Sequence, residues 1–403
     1  MDDFLNNRAH FVLGASLVKY RKFGKLGFKV SVLGFGAMRL PVVGSDHSNV
    51  NEPNAIEMIR YAVDHGVNYI DTAYGYHGGK SEVVVGKALI DGYREKVKLA
   101  TKMPTWAVNS QDDMDRILNE QLSRLQTDHV DVYLLHGLGK ERWDKMKSLN
   151  VLEWGENAVA DGRIRGLGFS FHDEFEVLKE IIDSYDKWVM CQILYNYVDQ
   201  DRQAGTRGLK YAASKGLAVV IMEPIGGGAL AVTPPKEIQV IWDEAKTKRS
   251  QAEWALQWVW NHPEVTVALS GMSTMQQVVE NIRSANRSGP GKLTKQELQI
   301  IERVRQKYAE YGFIGCTSCR YCMPCPNGVA IPETFALFNL HFTKRGDRNA
   351  EQEVANKYME TVGKEKGVKN CKKCGRCEEL CPQHLPIRNL LARAEWIFER
   401  PHQ

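Results

Sequence analysis

Between residue 30 and about residue 272, eight short β-rich apolar runs alternate with amphipathic helical stretches, and this alternation leaves few folds open. The runs are Val30–Phe35, Val67–Thr72, Lys98–Lys102, Val130–His136, Arg165–Phe169, Val189–Leu194, Ala218–Met222 and Val265–Leu269. Strands that alternate with helices build βα units and a parallel sheet. With helical patterns at Ala55–His65, Asp113–Leu125 and Glu174–Ser184 among them, eight such units fit an α/β fold of the closed (β/α)8 TIM-barrel type better than an open sheet. Ser250 and Glu253 have capping-box spacing ahead of Trp254, Ala255, Trp258 and Val259, which marks a helix before the eighth run. Those tryptophans read as core. Tyr20–Val30 alternates about Gly24–Gly27 and predicts a hairpin ahead of the first barrel strand.

At 403 residues, 43% apolar and 25% charged, the chain has material for one large domain and one small one. Ser288–Gly291 reads as a Gly/Pro linker, and Thr294–Glu310 as a helix leading into a cysteine-rich region. The expected organisation is an N-terminal extension at 1–18, a barrel at 19–290, and a linker helix with a cysteine-bearing domain at 291–403. No run approaches the roughly 18 apolar residues of a membrane span, and Phe11–Val18 is short and preceded by the acidic Asp2 and Asp3. A cytoplasmic protein without membrane attachment is expected. The net charge of +4 is too small to argue for nucleic acid. Residues 316–403 hold 14 Lys and Arg against 10 Asp and Glu, so the whole excess lies in the tail.

In such barrels the active site lies at the C-terminal strand ends, so ionisable groups there are read first as chemistry. Asp71 ends the second strand region, Lys102 the third and His136 the fourth, while Tyr76 follows Asp71 by five residues. Alone, each is ordinary as a satisfied structural group; together they form a set. A phenol with a pKa of about 10 is a poor acid at neutral pH, and a nearby ammonium stabilises its phenolate. Lys102 suits that role, Asp71 would hold it in place and charged, and His136 would orient a carbonyl by hydrogen bonding. Tyr76 would then protonate the carbonyl oxygen as hydride arrives at carbon.

Over roughly residues 19–285 the chain resembles the aldo/keto reductases. The stretches that carry the likeness are Tyr20-Arg-Lys-Phe-Gly-Lys-Leu-Gly27, Leu33-Gly-Phe-Gly-Ala-Met-Arg-Leu-Pro41, Ile70-Asp-Thr-Ala-Tyr-Gly-Tyr76, Asp131-Val-Tyr-Leu-Leu-His136, Gly162-Arg-Ile-Arg-Gly-Leu-Gly-Phe-Ser170 and Glu280-Asn281. The resemblance implies NAD(P)-dependent interconversion of a small-molecule carbonyl and alcohol, with Tyr76 as acid/base and Asp71, Lys102 and His136 as partners. It also implies cofactor contacts from Gly36, Ala37, Met38 and Asp71, with Ser170 and Gln192 at the carboxamide. Met222, Glu223, Pro224, Gly226 and Gly228 would pass the pyrophosphate, and Gly271, Met272, Gln277 and Asn281 would lie toward the adenosine. The pattern departs in three places. Phe171 and His172 follow Ser170 where many relatives have Asn; Met222 stands where many stack an aromatic on the nicotinamide; and Gly271 and Gln277 occupy positions that commonly hold Lys and Arg for the 2′-phosphate. A phosphate without a cationic partner loses charge-assisted hydrogen bonds, which favours NADH over NADPH, with Arg283 and Arg287 as the nearby cations in sequence.

Eight of nine cysteines fall in two runs: Cys316, Cys319, Cys322 and Cys325 before Pro326, and Cys371, Cys374, Cys377 and Cys381 before Pro382. Three cysteines spaced by two let a short loop wrap three corners of a cubane, and a remote Cys-Pro supplies the fourth. Zinc usually takes separated cysteine pairs, so two 4Fe-4S clusters are expected over two zinc sites. Resemblance to two-cluster ferredoxins implies one cluster on Cys316, Cys319, Cys322 and Cys381, and another on Cys371, Cys374, Cys377 and Cys325. The first run departs by one residue before Cys325, and the 45 residues between the runs carry helix-like Ile331–His341 and Glu351–Val362, so a mainly helical ferredoxin-like domain is expected. The tail's positive charge, including Lys372, Lys373 and Arg376, could offset anionic clusters. Cys191, inside an apolar run, reads as a packed thiol.

Nicotinamide chemistry moves two electrons as hydride, whereas each cluster moves one. One reading is therefore an oxidoreductase whose clusters exchange electrons with a ferredoxin-like protein through an intermediate carrier such as a flavin, although no flavin motif is visible. The alternatives are the same enzyme with structural or oxygen-sensing clusters, and a non-enzymatic nicotinamide-binding redox sensor.

Overall fold

The computed structural model describes residues 18–44 and 46–399; the expected extension at 1–18 lies outside them except for Val18. Strands β1 (Tyr20–Lys22) and β2 (Lys29–Ser31) form the hairpin, closed by a 3-10 turn at Gly24–Leu26. Eight parallel strands then close a barrel: β3 (Leu33–Gly36), β4 (Tyr69–Asp71), β5 (Lys98–Met103), β6 (Val132–Leu138), β7 (Leu167–Phe171), β8 (Met190–Leu194), β9 (Ala218–Met222) and β10 (Val265–Ser270). All eight expected runs are barrel strands, with one correction at the start. Val30–Phe35 is not continuous: Lys29–Ser31 belongs to the hairpin, the chain bends at Val32, and only Leu33 onward enters the barrel. The bend has a cause, because the Val32 carbonyl accepts from Trp260 Nε1 and Ala268 N, both at 2.8 Å, and is thereby turned toward the last βα unit.

The barrel floor is apolar. Phe23 and Phe28 of the hairpin stack 5.1 Å apart, and Phe23 lies 5.6 Å from Tyr69 at the start of β4, over Ala100, Val132, Met190 and Ala218. With its N-terminal end plugged by buried hydrophobic surface, the barrel leaves its polar strand ends to the opposite side. The helices Glu52–Asp64, Gln111–Leu125 and Phe175–Asp183 bury their apolar stripes in the order the periodicity predicts. Trp254 and Trp258 are buried, as is Cys191, whose thiol burial pushes up to about 12.

The chain divides into two compact units. One runs to Ile193 and includes Thr206–Met222 and Trp260–Lys292; the other comprises Leu194–Gly205, Glu223–Val259 and everything from Leu293 onward. In the second unit, helix Lys295–Tyr311 opens with a reciprocal capping box between Thr294 and Glu297. Helices Ile331–Thr343, Arg348–Thr361 and Ile387–Phe398 follow, giving the mainly helical tail that the sequence predicts. Among the described residues no helix is long and apolar enough to cross a membrane.

Candidate active site and cysteine centre

In the first unit, parallel pairing of β4 with β5 and β5 with β6 brings Asp71, Lys102 and His136 near the C-terminal ends of adjacent strands; Asp71 ends β4, whereas β5 runs one residue past Lys102 and β6 two past His136. Lys102 is fully buried. Its Nζ donates to Asp71 Oδ1 at 2.5 Å and to the Thr72 carbonyl at 2.7 Å, and it reaches Tyr76 Oη at 3.4 Å. Tyr76 sits in the turn Tyr76–Gly79, and its ring stands edge-on to His136 with centroids 6.0 Å apart. Burial lowers the pKa of Lys102 and raises that of Asp71, and each opposes the shift in the other. The short contact identifies an ion pair whose charges depend on each other. Burial, then the charges of Lys102, His172 and Arg142, hold His136 well below the usual histidine range, so the ring is neutral. A neutral imidazole can donate one hydrogen bond to a carbonyl without contributing charge. Trp106 lies 5.1 Å from His136, with the Arg142 guanidinium over its ring, and forms a wall beside the tetrad.

A buried network behind Lys102 escapes sequence reading. Glu82 accepts from Thr101 Oγ1 and Gln121 Nε2, both at 2.6 Å, and from Arg124 at 3.1 Å, while Gln121 also donates to the Lys102 carbonyl. It fixes the backbone that carries Lys102. The only signal in sequence is a Glu and an Arg on two separate helices.

Ser170 and Gln192 are register partners on β7 and β8. Ser170 Oγ accepts from Gly137 N at 2.7 Å, leaving its proton to donate, and the buried Gln192 Oε1 has no partner. One donor beside one bare acceptor complements a primary carboxamide, so these residues fit a nicotinamide. Gly36 and Ala37 are buried and Met38 is half-buried at the end of β3, and Met222 is half-buried at the end of β9. Phe171 completes β7 as a buried core residue. Gly271, Met272, Gln277 and Asn281 lie after β10, where Asn281 Nδ2 donates to Ser270 Oγ and Gln277 Oε1 accepts from Ser273 N.

The other expected pyrophosphate residues, Glu223, Pro224, Gly226 and Gly228, belong to the second unit, as do all eight cysteines. There Gly227, at φ +66°, passes so close to Thr317 that a Cβ would lie 2.5 Å from its carbonyl oxygen. Arg202 donates to the Gln383 carbonyl at 2.6 Å and Gln203 to that of Pro382 at 3.0 Å. The loops after β8 and β9 therefore clasp the segments that carry Cys316 and Cys381.

The cysteines lie close together: Cys322 interacts electrostatically with Cys319, Cys316, Cys381 and Cys377, and Cys377 with Cys371 and Cys325. A small cavity is lined by Cys322, Cys325, Cys371, Cys374 and Cys377. An apolar shell of Ile314, Val329, Phe335, Val368 and Leu391 surrounds them. Burial pushes the Cys319 thiol up to about 12 and raises those of Cys316, Cys322 and Cys377, whereas a bound metal would stabilise their thiolates. Among the described residues no three His, Cys, Asp or Glu converge closely enough to hold one ion. An all-cysteine donor set in an apolar shell fits iron–sulfur clusters.

The closed barrel with its buried tetrad defines an NAD(P)-dependent oxidoreductase. Residues 32–306 match the aldo/keto reductase family model and residues 312–385 the 4Fe-4S dicluster domain model; the chain belongs to the aldo/keto reductase family. It is 26% identical to L-galactose dehydrogenase of Arabidopsis thaliana, over 71% of this chain and 94% of that protein. An aldo-keto reductase from Bacillus halodurans in its holo form is similar at 29% identity and TM-score 0.60, covering 71% of this chain and 96% of the other. One from Klebsiella pneumoniae in complex with NADPH shares 25% identity and TM-score 0.59, covering 72% and 95%.

Proposed function

We propose that the protein interconverts a small carbonyl compound and its alcohol, using NAD(P) and Tyr76 as the acid/base group. The carrying observation is the buried Lys102–Asp71 ion pair within 3.4 Å of the Tyr76 hydroxyl. A bound nicotinamide supplies or accepts the hydride at the carbinol carbon. In the reducing direction Tyr76 gives its proton to the carbonyl oxygen, and the ammonium of Lys102 stabilises the phenolate left behind. Neutral His136 donates a hydrogen bond to the same oxygen and orients it, and Trp106 limits the room beside it. Ser170 and Gln192 would fix the carboxamide, while Gly36, Ala37, Met38, Met222, Gly271, Met272, Gln277 and Asn281 would line the dinucleotide.

The tail carries two 4Fe-4S clusters in this reading, on Cys316, Cys319, Cys322 and Cys381 and on Cys371, Cys374, Cys377 and Cys325. The clusters would supply one-electron transfer. Cys374 is exposed in a loop with exposed Lys372, Lys373 and Arg376, a basic edge that suits an acidic ferredoxin-like partner. A flavin carrier, if bound, would supply the exchange between two-electron and one-electron chemistry.

The enzymatic reading is tested by NADPH oxidation with 4-nitrobenzaldehyde under anaerobic conditions. Tyr76→Phe should lower kcat by about 10²- to 10⁴-fold with nucleotide affinity retained. Unchanged kcat would refute it. For the clusters, NADPH or NADH plus FMN should bleach the cluster absorbance, and persistent colour would assign them a structural role.

A further inference from the structure

Position 271 is bare, yet it is covered. Register pairs Ser270 of β10 with Phe35 of β3, so the loops after the last and first barrel strands lie side by side. Arg39 ends the turn Ala37–Arg39 after β3, half-buried, and its side chain lies over Gly271. A Cβ at Gly271 would come within 3.0 Å of the Arg39 Cδ and Cγ, so the missing side chain is what gives the arginine its place. The two loops are also stitched together, with Ser273 Oγ donating to the Arg39 carbonyl at 2.8 Å.

The other basic candidates lie far along the following helix. It runs Met275–Asn286; Arg283 is in its last turn and Arg287 is its C-cap. At 1.5 Å per residue they stand about 12 to 18 Å along the axis from the helix start. Gln277, the second bare position, uses its Oε1 to accept from Ser273 N. Residues 270–279 contain no Asp or Glu.

We infer that Arg39, reaching across from the first strand's loop, is the cationic contact for the 2′-phosphate of NADPH at Gly271 and makes the site prefer NADPH over NADH. The inference rests on the nicotinamide reading above and identifies the residue that sets cofactor choice. It reverses the preference for NADH that bare positions 271 and 277 suggest. Guanidinium and phosphate pair through charge-assisted hydrogen bonds in a fork geometry, and NADH has no group to engage them.

The test is nucleotide affinity, read by quenching of tryptophan fluorescence on the anaerobically purified full chain with NADPH and NADH. Arg39→Leu should weaken NADPH by about 10- to 100-fold and leave NADH within about threefold. Arg39→Lys, whose stem follows the same path over Gly271 and still ends in a cation, should keep most of the NADPH affinity that Arg39→Leu loses. Equal loss for both nucleotides, or no loss for either, would overturn the assignment to Arg39. Failure of the wild type to bind either nucleotide would instead sink the nicotinamide reading itself.

Discussion

Replacing Lys102 with Met isolates the energetics of the site. The ammonium is fully buried and donates to Asp71 Oδ1 and the Thr72 carbonyl, while Asp71 Oδ2 already has no partner. Removing Lys102 strands a carboxylate that is 2% exposed, and breaking a buried pair from one side costs about 3–5 kcal/mol. The pH dependence follows in sign. Burial already raises the Asp71 pKa and Lys102 opposes it, so without Lys102 the folded value climbs further above the unfolded value of about 3.9. The folded state then holds a proton that the unfolded state releases, and stability increases as pH falls through that window. Lys102→Met should therefore lose most at pH 8 and regain part of the loss at pH 5. Asp71→Asn with Lys102→Met should recover to within about 2 kcal/mol, because no charge is left buried. Urea melts followed by near-UV circular dichroism on the anaerobic full chain measure all three. A loss below about 1 kcal/mol, or a double variant as unstable as the single one, would refute the buried-ion-pair account.

His136 is held neutral well below its usual range, whereas an unfolded chain protonates it below about 6.5; stability should fall as pH drops from 6.5 to 5, by up to about 1.4 kcal/mol per pH unit, and His136→Asn should flatten that slope in denaturation curves. Gly227→Ala forces a Cβ to 2.5 Å from a backbone oxygen at a left-handed φ, so the Thr317 segment must shift; iron per chain should fall while NADPH-independent barrel circular dichroism is retained. Cys325→Ser should alter the cluster held by Cys371, Cys374 and Cys377, and Cys381→Ser the other, giving distinct electron paramagnetic resonance spectra; identical spectra would refute exchange of the fourth ligand between runs.

The barrel was legible because β-rich runs of five to seven residues recur at helix-length intervals, and Asp71, Lys102 and His136 stood out because they punctuate apolar runs near strand ends. The cysteine spacing carried its own chemistry. What sequence could not reveal depends on pairing across long stretches of chain. Arg202 and Gln383 meet 181 residues apart, and nothing local in Leu194–Gly205 or Glu223–Val259 announces that these segments group with the tail. Arg39 over Gly271 is similar: the glycine reads as a lost cation until the barrel closes and sets the first strand beside the last. Val30–Phe35 read as one strand because the bend at Val32 is set by Trp260 and Ala268, neither of which is near it in sequence.

The central claim is that hydride moves at the barrel top with Tyr76 handling the proton. Reacting the anaerobic holoprotein with 4-deuterated NADPH and 4-nitrobenzaldehyde, and locating the label by mass spectrometry and NMR, tests it directly. Single deuterium at the carbinol carbon, formed about 10²- to 10⁴-fold more slowly by Tyr76→Phe, is the predicted result. Alcohol without deuterium at that carbon, or label transferred equally fast by Tyr76→Phe, would contradict it.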